Sequence, residues 1–121
     1  MENIGDYTVD MKLHNNYNII TDSLEFEWDP AKDRINIAKH GVSFADATEV
    51  FDDIEGLTSF DPAHSDYEER YLTLGLSKTG VLLMVSFYVR GNRLRIISAR
   101  KATKNEAKEY RRKTGSSLHK R

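Results

Sequence analysis

The chain has 121 residues, a formal net charge of −1 and no cysteine. This length suits one small domain with one core. The composition excludes disulfides and thiolate metal sites, and no apolar run is long enough to cross a bilayer as a helix, so no membrane partner is expected.

The near-zero charge hides an asymmetry. Residues 1–69 carry seventeen acidic and four basic side chains, whereas residues 90–121 carry two acidic and twelve basic ones. A basic end suits a polyanion such as nucleic acid, or an acidic protein surface. The plainer alternative is a solvated basic helix and tail.

Residues 1–23 read as an extension. Met1 to Asp10 is acidic and mixed, unlike a secretory signal, and the lack of cysteine fits a reducing cytoplasm. Tyr7, Val9, Met11 and Leu13 alternate with polar residues, as an added edge strand does. His14 to Asn18 reads as a loop.

The domain proper is expected over 24–113. Leu24-Glu25-Phe26-Glu27-Trp28 alternates apolar and acidic residues and predicts a half-buried strand. Asp29 as N-cap and Pro30 at the first helical position start a helix to about His40, with Ala31, Ile35 and Ala38 on one face. Gly41 suits the left-handed residue that ends it. Ser43 caps a second helix, in which Phe44, Ala47 and Phe51 are spaced to face inward. Strands are expected at Leu57 to Phe60, Tyr71 to Ser77, Val81 to Val89 and Leu94 to Arg100. The third of these is apolar enough for a central strand. Lys78-Thr79-Gly80 and Gly91-Asn92 turn the chain between them. Thr103-Lys104-Asn105-Glu106 is a capping box that opens a last helix to about Lys113. Residues 114–121 read as a tail without core residues. The expected class is α+β: a small antiparallel sheet, two N-terminal helices and one C-terminal helix.

The sequence holds no phosphate-binding glycine loop, zinc-type spacing or nucleophile elbow. It does offer arginine, lysine, histidine, glutamate and tyrosine near strand and helix ends. Such residues suit RNA cleavage. The substrate brings its own nucleophile, the 2′-OH, and the protein must align it, neutralise the phosphate and assist proton transfer. Arg70 and Arg100 each end an apolar strand face, and arginine matches a phosphate with two parallel hydrogen bonds. Each has a structural alternative, a salt bridge to Glu68, Glu69 or a helix carboxylate. His40, His64 and Glu69 are the candidate acid–base groups. His40 equally suits a helix C-terminus and His64 an ordinary loop surface. By alternation Arg93 and Arg95 fall on the opposite face from Arg100. With Arg90, they are expected to contact RNA or a partner. Tyr110 and Trp28 have core packing as their alternative role.

Three segments resemble BrnT-type toxins of type II toxin–antitoxin systems. They are Trp28-Asp29-Pro30-Ala31-Lys32 with Asn36 and Lys39-His40-Gly41-Val42, then Glu69-Arg70-Tyr71 with Leu74-Gly75, then Arg95 to Ala102 with Glu106 and Tyr110. The likeness spans about residues 24–112. It implies a RelE-like ribonuclease that slows growth by cutting RNA. It also implies a cognate antitoxin with a ribbon-helix-helix DNA-binding part, through which alone operator DNA is reached. Lys39, His40, Glu69, Arg70, Arg100 and Tyr110 are matching positions, Lys39 and Tyr110 as RNA contacts. No cofactor or metal is required if side chains supply the positive charge. A rival reading is a non-catalytic nucleic-acid or protein adaptor using the basic C-terminal third.

Overall fold

A computed structural model describes residues 24–65 and 67–115. The strand expected at Tyr7 to Leu13, the loop after it and the tail beyond Gly115 lie outside the described residues. The element order is β1 (Glu25–Glu27), α1 (Pro30–His40), α2 (Phe44–Ala47) with a 3-10 turn (Thr48–Asp52), β2 (Leu57–Phe60), a 3-10 turn (Pro62–His64), β3 (Arg70–Leu76), β4 (Leu82–Arg90), β5 (Arg93–Lys101) and α3 (Lys104–Thr114). The helix ends follow their capping chemistry. Asp29 accepts a hydrogen bond from the Ala31 N–H, Ser43 accepts from Asp46, and Thr103 and Glu106 form the full capping box. Gly41 takes φ 73°, which its missing Cβ permits.

The five strands run in the order β1-β5-β4-β3-β2, with β4 central. The sheet is mixed rather than antiparallel, because β1 pairs parallel with β5. Charge sets this pairing: Glu25 lies opposite Arg93 and Glu27 opposite Arg95, so the acidic edge strand neutralises the basic one.

One sheet face meets α1, α2 and the first 3-10 turn. Its core holds Phe44, Ala47, Val50, Val85, Phe87, Val89, Leu94 and Ile96, with Trp28 packed edge-on against Phe44. The second helix is shorter than expected, but Phe44 and Ala47 are buried and Phe51 packs against the core. A smaller cluster under α3 holds Leu57, Leu74, Leu82 and Tyr110 on the other face.

The apolar face of α1 is not the buried one. Ala31 and Ala38 are exposed and Ile35 is 63% exposed, while Asn36 is the helix's buried residue. The helix lies beside β5 beyond the point where β1 stops pairing, and it docks by hydrogen bonding. The Asn36 amide accepts from the Ala99 N–H at 3.2 Å and donates to the Ala99 and Val42 carbonyls at 2.7 and 2.9 Å. One side chain thus takes the place of a missing neighbour strand.

Candidate active site

A β-bulge decides which residues share the open sheet face. Ser86 pairs with Ser98 but Phe87 pairs with Ile96, so Ile97 is an extra residue in β5. Simple alternation therefore fails across it. Arg93 and Arg95 lie on the same face as Ser98 and Arg100, not on the opposite one. The paired rung Arg70–Tyr88–Arg95–Glu27 crosses four strands on this face.

A cleft of about 210 Å³ opens over this rung. It is lined by Arg70, Tyr88, Arg95 and Ile97 from the sheet, Glu68 before β3, and Asp29 and Lys32 from the start of α1. Glu68 holds the Arg70 Nε at 2.9 Å, and the Arg70 backbone N–H donates to the Ser65 hydroxyl. Glu27 holds the Arg95 Nη1 at 3.3 Å. Each arginine is therefore aimed by one carboxylate and keeps other N–H groups for a ligand. Lys32 has no ion-pair or hydrogen-bond partner among the described residues. Arg90 lies over the Tyr88 ring, 5.1 Å from its centroid. Two anchored guanidiniums and an ammonium around one small cleft suit a phosphodiester.

Arg100 has a different setting. It shares the open face but lies in the Met84 row, two strands and four residues from Arg70, roughly 16 Å between Cα atoms. Its Nη1 and Nη2 each donate to a Glu106 oxygen at 2.9 Å, and Nη1 also reaches the Lys101 carbonyl. The Glu106 hydrogen bond raises the Arg100 pKa, against an opposing desolvation effect. The Arg100 hydrogen bond holds Glu106 below the ordinary carboxylate range. The geometry is that of the helix-carboxylate salt bridge.

The acid–base candidates do not gather at Arg70. His40 ends α1, about 12 Å along the helix from Lys32, and Lys39 is exposed beside it. Glu69 accepts from the Tyr71 hydroxyl at 3.1 Å, and Tyr71 is buried toward the helices. His64 is near Arg70 in the connection to β3, but it is largely exposed and bound to Asp61 at 3.0 Å. Arg93 pairs with Glu27 at 3.1 Å and Arg90 is exposed at the hairpin. Tyr110 is fully buried, and its hydroxyl donates to Asp53 Oδ2 at 2.6 Å. Burial is the main reason its pKa is raised, with Asp53 adding to it. That is a core placement, closed to RNA.

Sequence reasoning missed Lys32 and Tyr88 as site residues. Lys32 was visible as the last residue of Trp28-Asp29-Pro30-Ala31-Lys32. Tyr88 lies in an apolar run that reads as pure core.

Residues 28–106 match the family model described as the ribonuclease toxin, BrnT, of type II toxin–antitoxin systems. The chain belongs to the BrnT ribonuclease-toxin family. The chain is also similar to the Brucella abortus ribonuclease toxin BrnT, known from a 1.1 Å crystal structure. Identity is 28% and the TM-score 0.51, over 67% of this chain and 99% of that one. No curated protein sequence matches the chain. Family membership makes the chain a ribonuclease toxin and implies a cognate antitoxin. No helix among the described residues is long and apolar enough to cross a membrane.

Proposed function

We propose that the chain is a RelE-like, metal-independent endoribonuclease acting at the Arg70 cleft. Residues 24–113 carry the activity in the cytoplasm. The toxin slows growth by cutting RNA, and an antitoxin with a ribbon-helix-helix DNA-binding part restrains it. The carrying observation is the convergence of Arg70, Arg95 and Lys32 on one cleft that also holds Glu68. The arginines bind the non-bridging oxygens of the scissile phosphate as charge builds on them. Glu68 takes the proton of the 2′-OH, whose oxygen attacks the adjacent phosphorus. The bond from phosphorus to the 5′ oxygen breaks, and the Lys32 ammonium protonates that oxygen. The products are a 2′,3′-cyclic phosphate and a 5′-hydroxyl. Arg100 supports the site from a distance, by fixing α3.

The test is cleavage of single-stranded RNA in excess EDTA across a pH series. A rate shaped by pH, with cyclic-phosphate ends, is the expected result. Arg70→Ala should lower kcat/KM about 10²- to 10³-fold, and Arg70→Lys should recover little of it. No cleavage by the wild type at any pH identifies the chain as a binding module instead.

A further inference from the structure

Between the Arg70 rung and α3 the open face carries a rung of three serines and one leucine. Ser59 pairs with Leu72, Leu72 with Ser86, and Ser86 with Ser98, one row across four strands. On one side stand Arg70, Tyr88 and Arg95. On the other stand Leu74, Met84 and Arg100, the last clamped to α3. These flanking rows are four residues apart along the strands, about 14 Å between backbones. On β4 and β5 the short Ser86 and Ser98 therefore form a low floor between the longer side chains of Tyr88 and Arg95 on one side and Met84 and Arg100 on the other. A second cleft of about 210 Å³, lined by Ser59, Leu72, Met84 and Glu106, lies on its far side.

The hydroxyls of this floor are available for a ligand. Ser86 and Ser98 are half-buried, and among the described residues neither side chain has a hydrogen-bond partner. A half-buried hydroxyl still reaches the open face, so it can exchange water for a polar ligand group. Tyr88 stands two residues from Ser86 on the same strand face, with Arg90 near its ring. An aromatic wall beside a hydroxyl floor suits a planar ring with polar edges. Unpaired bases are the ones whose edges are exposed for such reading, so a single-stranded RNA suits this floor.

We propose that Ser86 and Ser98 form a base-reading subsite, holding the nucleobase next to the scissile phosphate of a single-stranded RNA. The base lies against Tyr88, and the two serine hydroxyls donate to or accept from its edge. This rests on the cleft reading above: the phosphate sits over Arg70 and Arg95, and the neighbouring base falls one rung toward α3. Ser86 and Ser98 thereby set which base flanks the cut, while the arginine row sets that a phosphate is cut at all.

The experiment maps cut sites in a randomised single-stranded RNA pool for the full chain and its Ser86→Ala, Ser98→Ala, doubly substituted and Arg70→Ala variants. Alanine fits wherever serine does, and circular dichroism confirms the fold. The wild type should favour some bases next to the cut. Each serine variant should cut more slowly at favoured sites and lose about three- to tenfold of its discrimination, the worth of one hydrogen bond. Tyr88→Leu should weaken binding, seen as a raised KM, and Tyr88→Phe should restore it because the ring remains. A wild type without base preference beside the cut overturns the proposal. So does a doubly substituted variant with the wild-type preference. If Arg70→Ala cuts at the wild-type rate, the cleft reading itself has failed. If only Arg70→Ala loses cleavage and preference persists in the serine variants, the subsite alone has failed.

Discussion

Arg70 and Arg100 carry the same group into different chemical situations. A guanidinium has five N–H donors, and what matters is how many remain after its carboxylate partner is served. Glu68 occupies the Arg70 Nε and leaves both terminal nitrogens without a partner among the described residues, in a side chain that lines the cleft. Glu106 occupies both terminal nitrogens of Arg100. Arg70 is therefore equipped to bind an anion, and Arg100 to hold a helix end. Arg100→Ala is expected to destabilise the fold by about 1 kcal/mol or less, because its side chain is 40% exposed and solvent screens the pair. Chemical denaturation of Arg100→Ala and of the Arg100→Ala, Glu106→Gln pair measures this, and the double substitution should cost little more than the single. Cleavage per folded molecule should fall far less for Arg100→Ala than for Arg70→Ala. An Arg100→Ala protein of wild-type stability that cuts no RNA would instead place Arg100 in the reaction.

At the scale of elements, the sheet is finished by side chains where its edge strands stop. Asn36 serves the open edge of β5 at Ala99. Asp53 serves the edge of β3, accepting from the Leu76 N–H at 2.9 Å and from Tyr110 in α3. Gly75 lets the 3-10 turn come this close, since a Cβ there would lie 3.0 Å from Val50. Asn36→Ala leaves backbone groups of Ala99 and Val42 unpaired and should cost about 2–3 kcal/mol in urea denaturation. Two titrations bound the stability in pH. Glu106 is held below its ordinary pKa of 4.5, chiefly by Arg100, so the stability it contributes is present above pH 4.5 and is lost as pH falls further. Tyr110 is held above its ordinary 10.0, chiefly by burial, so its contribution is complete below pH 10 and is lost as pH rises beyond it. In thermal melts across pH, Arg100→Ala should flatten the acid limb and Tyr110→Phe the alkaline one. These elements also show what sequence reasoning can reach. Caps, turns and the central strand follow local rules, so Asp29, Gly41 and Thr103 mark their helices unaided. The bulge at Ile97 does not, because one extra residue is invisible until its partner strand fixes the register. That single residue moves Arg93 and Arg95 onto the face of Arg100. The inner face of α1 was illegible for a related reason: its apolar residues Ala31, Ile35 and Ala38 share one face, but the side chain that docks the helix is the polar Asn36.

At the scale of the whole molecule, the charge asymmetry of the sequence becomes a question of where the antitoxin binds. The outer face of α3 carries Lys104, Lys108, Arg111 and Arg112, relieved by Glu109, which pairs with Arg112 at 2.8 Å and with Lys113 at 3.5 Å. Beside it lies the open sheet face with its arginine row. A partner laying acidic side chains over α3 and on across the sheet would neutralise both and deny RNA the cleft. Opposite charge also speeds encounter, which suits a toxin that must be silenced soon after synthesis. The other possibility is a grip on the acidic helix side, where Asp46 and Asp52 are exposed. Asp53 is unsuitable for testing that side, because its carboxylate ties β3 to α3. Lys108→Glu with Arg112→Glu should slow association with the cognate antitoxin by about tenfold or more at low salt, and less as ionic strength screens the charges. Stopped-flow binding at two salt concentrations reads this directly. The RNA-cleaving rate of the free variant then shows whether α3 also guides substrate. If that variant associates at the wild-type rate while Asp46→Lys with Asp52→Lys does not, the antitoxin sits on the helix side. It then inhibits without covering Arg70, and a bound antitoxin leaves the cleft open to a short RNA.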